Sequence, residues 1–233
     1  MLHTWGPVVK LRNVARSVGL TRVLSRFRSS SSYEERFGKA MLGALRAGDT
    51  VWDVGANVGF YTEQFARIVG DSGKVVAFEP VPSCYEQMAR LVGAMPNVRM
   101  VKAGLGSSSG TLTFDVGNSD VTLGRVVEGG PAAPGAKLLH LPVYTGQDAV
   151  AKENLPAPSF VKVDVEGFEL EVLTGMASLL REPSCRNVFV EIHFGILAKR
   201  GLSKAPDEIV NLLRGMGYTI HWVDASHIHA ARS

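Results

Sequence analysis

Apolar residues run along this chain in two alternating rhythms. Short, nearly unbroken apolar runs at 51–54, 74–79, 98–102, 159–164, 187–193 and 217–223 have the length and β-branched content of buried strands. Between them, at 33–45, 60–69, 83–92, 167–180 and 206–216, apolar positions return with the spacing of one helix face. Residues 111–115 alternate like a strand, 138–144 can pair with them, and 228–230 can form a short return strand. Strands alternating with helices predict an α/β domain on a doubly wound, mostly parallel sheet of six to seven strands. The pattern lapses at 117–136, which is rich in glycine and proline; that stretch reads as a flap over a substrate mouth or as plain disorder.

The first strand ends in a glycine turn, Asp53-x-Gly55-x-x-x-Gly59, and the next helix begins at Phe60. Gly55 permits a sharp turn, and Gly59 lets the helix approach the strand or a ligand closely. In a dinucleotide fingerprint, G-x-G-x-x-G, the second glycine admits a pyrophosphate to the backbone. Asn57 stands there instead, which argues against a dehydrogenase. S-adenosylmethionine (SAM) carries no phosphate and tolerates this turn. Its carboxylate can face the helix N-terminus and its ammonium Asp53. The second strand ends in Glu79-Pro80, and a carboxylate in that place can accept hydrogen bonds from both ribose hydroxyls. Ala103-Gly104 comes after the third strand, small enough for an adenine to lie against backbone.

Composition narrows the setting. A chain of 233 residues, 45% hydrophobic, suits one α/β domain with a short extension. The net charge of +3 argues neither for nor against nucleic acid. Cys84 and Cys185 lie far apart without metal-ligand spacing, which points to a reducing, cytoplasmic setting. No apolar run reaches the ~20 residues of a membrane span. Residues 1–32 carry six Lys or Arg, namely Lys10, Arg12, Arg16, Arg22, Arg26 and Arg28, and no acid. They read as a basic, helical N-terminal extension to a catalytic domain over 33–233. A cap on the core, a surface for membrane or acidic partners, and a mitochondrial presequence all fit that composition.

The run Lys162-Val-Asp-Val-Glu-Gly-Phe-Glu-Leu-Glu-Val-Leu-Thr-Gly175 resembles the signature of the FkbM family of SAM-dependent methyltransferases. So do Asp53-Val-Gly-Ala-Asn-Val-Gly59, Ala77-Phe-Glu-Pro80 and Glu191-Ile-His193, and the likeness covers about residues 33–223. It implies a class I methyltransferase fold and O-methylation of a small-molecule hydroxyl, in a sugar or secondary metabolite. The chain stops soon after its sixth strand, so the usual last strand is expected to be short or absent.

Ligands of open α/β sheets bind beyond the carboxyl ends of the strands. Asp164, Glu166, Glu191 and His193 all fall there. Asp53, Gly55, Asn57, Gly59, Phe60, Glu79, Pro80, Ala103 and Asp164 are therefore the candidate cofactor residues. Asp164, Glu191 and His193 are the candidate catalytic ones. His193 has the ordinary pKa of a general base, and Asp164 can bind cofactor, orient the acceptor or act as base. No metal-ligand set is assigned, although Asp164, Glu191 and His193 could hold a divalent cation with waters. Glu166 could equally cap the next helix. Glu169 and Glu171 read as a solvated helix face, Glu34 as a complement to its own helix N-terminus, His227 and His229 as an exposed tail, and His140 and His221 as structural residues along strands. An RNA methyltransferase and a non-catalytic SAM-binding protein are the alternatives. The first lacks an Asn-Pro-Pro-Tyr type turn and a stacking aromatic cluster. A homodimer is left open.

Overall fold

The computed structural model describes residues 33–115, 125–126 and 138–232. The basic extension at 1–32 lies outside the described residues. So does the glycine-rich stretch, apart from Arg125–Val126, and so does the side chain of Glu34.

In chain order the elements are α1 (Tyr33–Ala44), β1 (Thr50–Val54), α2 (Phe60–Val69), β2 (Lys74–Phe78), α3 (Pro82–Val92), β3 (Val98–Val101) and β4 (Gly104–Leu105). Next come β5 (Gly110–Asp115), β6 (Arg125–Val126), β7 (Leu138–Tyr144), α4 (Gly146–Glu153), β8 (Phe160–Val163), α5 (Glu169–Gly175) and α6 (Ala177–Arg181). The chain closes with β9 (Asn187–Glu191), α7 (Phe194–Lys199), α8 (Ala205–Gly215), β10 (Thr219–Trp222) and β11 (His227–Ala231).

The main sheet has seven strands in the order β10-β11-β9-β8-β1-β2-β3. Neighbours from β9 through β3 are parallel, whereas β11 runs antiparallel to both β9 and β10. The expected doubly wound, mostly parallel sheet is therefore present. The last strand, expected to be short or absent, is present: the short return strand expected at 228–230 is β11, five residues long and inserted between β9 and β10. It places His227 and His229 in the sheet rather than in a tail. A second sheet, β4-β7-β5-β6, contains the expected pairing of 111–115 with 138–144.

Side chains of successive strand residues point to opposite faces, and the core divides accordingly. Val51, Val75, Phe160 and Phe189 pack against Phe37 and Met41 of α1 and Phe65 and Val69 of α2. Trp52, Val76, Val161 and Val188 face Leu173 of α5, Leu180 of α6 and Ile209 and Leu213 of α8. The helix expected at 167–180 is two helices, α5 and α6, meeting at Met176. Asn97 closes the end of α2, its side-chain amide donating to the carbonyls of Ala66 and Gly70 at the C-terminal turn. Among the described residues no helix is long and apolar enough to cross a membrane.

Candidate active site

The site begins where β1 and β8 end side by side. Gly55 has φ +79°, and a Cβ there would lie 1.9 Å from the carbonyl oxygen of Asp164. Only glycine lets these two strand ends come so close. Gly59, at φ +88°, serves a different contact: its Cβ would press on Met88 of α3 at 2.9 Å. It therefore lets α2 pack closely against α3.

Asp53 is fully enclosed. Its carboxylate accepts from the Thr62 hydroxyl at 2.7 Å and lies 3.1 Å from the Lys162 ammonium. Lys162, itself buried, also donates to the Gly55 carbonyl at 2.9 Å and lies 3.7 Å from Asp164. Burial opposes its charge, but Asp53 and Asp164 outweigh burial and raise its pKa. Lys162 thus ties the glycine turn to both carboxylates, a role left unassigned from the sequence. A lysine inside the apolar run Phe-Val-Lys-Val was the available signal, since a buried charge must be paired.

Glu79, just past β2, accepts from the backbone N–H of Asn57 and of Val81, each at 2.8 Å. Asn57 holds a left-handed φ of 51°, and its amide points at that carboxylate. Burial pushes the pKa of Glu79 up to about 7, against both amides and Lys162. Two amides leave lone pairs free on a carboxylate, which accepts about four hydrogen bonds. Ala103 is buried, Gly104 approaches Pro80, and Phe60 is exposed on the first turn of α2. This donor and acceptor set fits SAM: a carboxylate for a diol, small residues for a flat base, and a helix N-terminus for a carboxylate.

The other half of the site lies on β8, β9 and the segments that leave them. Asp164 and Glu191 sit one step beyond the paired Val163 and Val190, so they are neighbours on the rim. His193 precedes α7 with its side chain only 7% exposed. Its Nδ1 lies 2.8 Å from Glu169, while Nε2 lies 3.2 Å from Glu166, 3.7 Å from Asp164 and 3.7 Å from Glu191. The structure thus brings the three candidate catalytic residues together. It also corrects the reading of Glu169, which is fully buried and accepts from the Gly167 N–H as well as facing His193. Glu171 is paired with Arg200 at 2.7 Å, not merely solvated. Glu166, at φ 52°, does not cap α5, whose N-cap is Phe168.

The charge state of His193 also differs from expectation. Burial alone would lower its pKa, but the Glu169 hydrogen bond and the charges of Asp164, Glu166 and Glu191 prevail and raise it to about 9. At neutral pH the imidazole of the ligand-free protein holds its proton and is no base. Asp164 is pushed up to about 6, chiefly by burial; Glu191 and Glu166 add to the rise and Lys162 opposes it. Behind Glu191, His227 lies at 3.5 Å and is held in turn by Asp224 at 2.8 Å.

Comparison with known proteins agrees with this architecture. The model of the methyltransferase FkbM domain matches residues 53–220. The hexuronic acid methyltransferase AglP of Haloferax volcanii is 34% identical over 68% of this chain and 62% of its own length. The methyltransferase sdnD of Sordaria araneosa is 32% identical over 60% of this chain and 64% of its own. The chain therefore spans under two thirds of these two relatives. The 31-O-demethyl-FK506 methyltransferase FkbM of Streptomyces tacrolimicus is 28% identical over 76% of this chain and 75% of its own. Among solved structures, an FkbM methyltransferase from Methylobacillus flagellatus superposes with a TM-score of 0.56 at 16% identity, covering 85% of this chain and 49% of that one. The SAM-bound fibrillarin of Aeropyrum pernix gives 0.50 at 12% identity, over 83% and 71%. These likenesses mark the fold as that of class I methyltransferases, and with the family model matched from the glycine turn into β10, the chain belongs to the FkbM methyltransferase domain family.

Proposed function

We propose that this chain is a SAM-dependent O-methyltransferase acting on a hydroxyl of a small molecule, a sugar or a natural product. One observation carries the reading. The Glu79–Asn57–Asp53–Lys162 group and the Asp164–Glu191–His193 group share one rim, with Asp164 3.7 Å from both Lys162 and His193. A cofactor half and an acid–base half thus adjoin. The curated relatives, each named as a methyltransferase, support the class.

When bound, SAM supplies an electrophilic methyl: a C–O bond forms as the C–S electron pair returns to sulfur, leaving a neutral thioether. The work of the protein is placement and proton removal. Placement of the oxygen in line with the methyl is worth up to ~7–11 kcal/mol in favourable cases. Glu79 would accept from the ribose hydroxyls, Ala103 and Pro80 would flank the adenine, and the turn at Gly55–Asn57 with the first turn of α2 at Phe60 would receive the methionine end. Asp53, enclosed by Thr62 and Lys162, holds that turn in shape. Asp164, Glu191 and His193 surround the acceptor hydroxyl; Asp164 takes its proton, while the protonated His193 orients the carboxylates. Phe194 and Trp222, exposed and stacked at 6.5 Å, offer apolar faces to a sugar ring.

Calorimetric titration with SAM and with NAD tests the cofactor. Binding of NAD alone would overturn the reading. Transfer of labelled methyl to uronic-acid-containing glycans, and then to hydroxylated natural products, tests the acceptor class.

A further inference from the structure

We propose that Asp164, Glu191 and His193 bind one divalent cation, on the acceptor side of the proposed SAM site. One ligand atom from each lies within 4.8 Å of the others. Ligands on opposite sides of one cation at 2.0–2.6 Å stand about 4–5 Å apart, so the cluster is already of the right size.

The independent observation is His193. Its Nε2 is buried and without a hydrogen-bond partner, and it faces the oxygens of Asp164, Glu166 and Glu191. The other ring nitrogen is committed. Glu169, fully buried and anchored by the Gly167 N–H, accepts from Nδ1 at 2.8 Å. That bond orients the ring with Nε2 aimed at the carboxylates; a cation bound there would displace the Nε2 proton that those charges otherwise retain, while Nδ1 keeps its own on Glu169. A carboxylate behind a histidine whose other nitrogen faces more carboxylates is the arrangement that orients metal ligands. A buried polar atom left without a partner is costly, and a cation at this point would satisfy it. The sulfonium of SAM could offset the acidic charge but cannot accept a nitrogen lone pair. On the far side of Glu191, His227 lies 3.5 Å from the second carboxylate oxygen, backed by Asp224, and this orients that ligand too.

One imidazole with two carboxylates suits hard to borderline divalent ions such as Mn²⁺. Held there, the ion would act on the acceptor as a Lewis acid, lowering the pKa of the hydroxyl. That consequence, unlike the binding itself, rests on the proposed methyl transfer.

The test is binding, not turnover. Chelator-treated full-length chain is titrated with MnCl₂ without SAM, free Mn²⁺ being read by electron paramagnetic resonance. One equivalent should bind. Glu191→Gln and His193→Gln should each weaken it at least about tenfold, and Glu169→Gln by about 10–100-fold through His193. Glu153→Gln, on the Arg99 pair outside the site, should change nothing. A SAM titration of each variant verifies that it is folded. No single-site binding by the wild type, or binding within twofold of wild type in both Glu191→Gln and His193→Gln, overturns the inference. If SAM binds and Mn²⁺ does not, the cation site falls and the methyltransferase reading stands. If Mn²⁺ binds and SAM does not, the reverse holds.

Discussion

Glu79 should make SAM binding depend on pH, through a carboxylate whose burial is not matched by a full counter-charge. It is 6% exposed at the end of β2. Burial lifts its pKa from the ordinary 4.5 to about 7; the amides of Val81 and Asn57 and the charge of Lys162 oppose the rise, and Asp53 adds to it. From α3, the Cys84 thiol also faces it, its own pKa pushed up to about 12 chiefly by burial. Ribose hydroxyls donate, so they favour ionised Glu79, and binding below pH 7 must expel its proton. Apparent affinity should then rise up to about tenfold per pH unit below 7, by roughly thirtyfold from pH 5.5 to 8, and level off above. Stability runs the other way. The folded state holds this proton more tightly than the unfolded chain. The resulting cost is absent below pH 4.5, grows between 4.5 and 7, and reaches roughly 3 kcal/mol above. Glu79→Gln should therefore be more stable than wild type at pH 8 and bind SAM weakly with a flatter pH profile. Calorimetry in two buffers of different ionisation enthalpy counts the protons released; urea unfolding at pH 5 and 8 gives the stability. Identical pH profiles of SAM affinity in wild type and Glu79→Gln would refute the reasoning.

Lys162→Met should cost about 3–5 kcal/mol by stranding the enclosed Asp53, and Asp53→Asn in the same chain should recover part of it; urea-unfolding cycles on the four proteins check this. Gly55→Ala, with a Cβ 1.9 Å from the Asp164 carbonyl and a positive φ, should abolish SAM binding and lower the thermal midpoint sharply in a melting experiment. Glu169→Gln should reduce kcat about 10–100-fold with SAM affinity within twofold, because it reaches the reaction through His193 and lies outside the proposed cofactor half. Steady-state kinetics with SAM titration in parallel separates that outcome from general loss of fold.

The sequence by itself determined the alternation of strands and helices, the glycine turn after the first strand and the carboxylates at the strand ends. Those features are local: apolar periodicity sets which face is buried, a left-handed φ calls for glycine, and a polar residue closing an apolar strand belongs on the rim. Tertiary structure alone decided the partners. Glu169 and Glu171 look like a solvated face because helical spacing cannot reveal that the chain returns with His193 and Arg200 to cover them. His227 and His229 look exposed because a short return strand at 228–230 does not show its own neighbours, and only its pairing with both β9 and β10 carries them into the sheet. The histidine reads as a base from its ordinary pKa, yet that value depends on the charges the fold places around it. Asp164, Glu166, Glu191 and Glu169 meet His193 across separate segments, and their electrostatic sum exists only once β8 and β9 lie side by side.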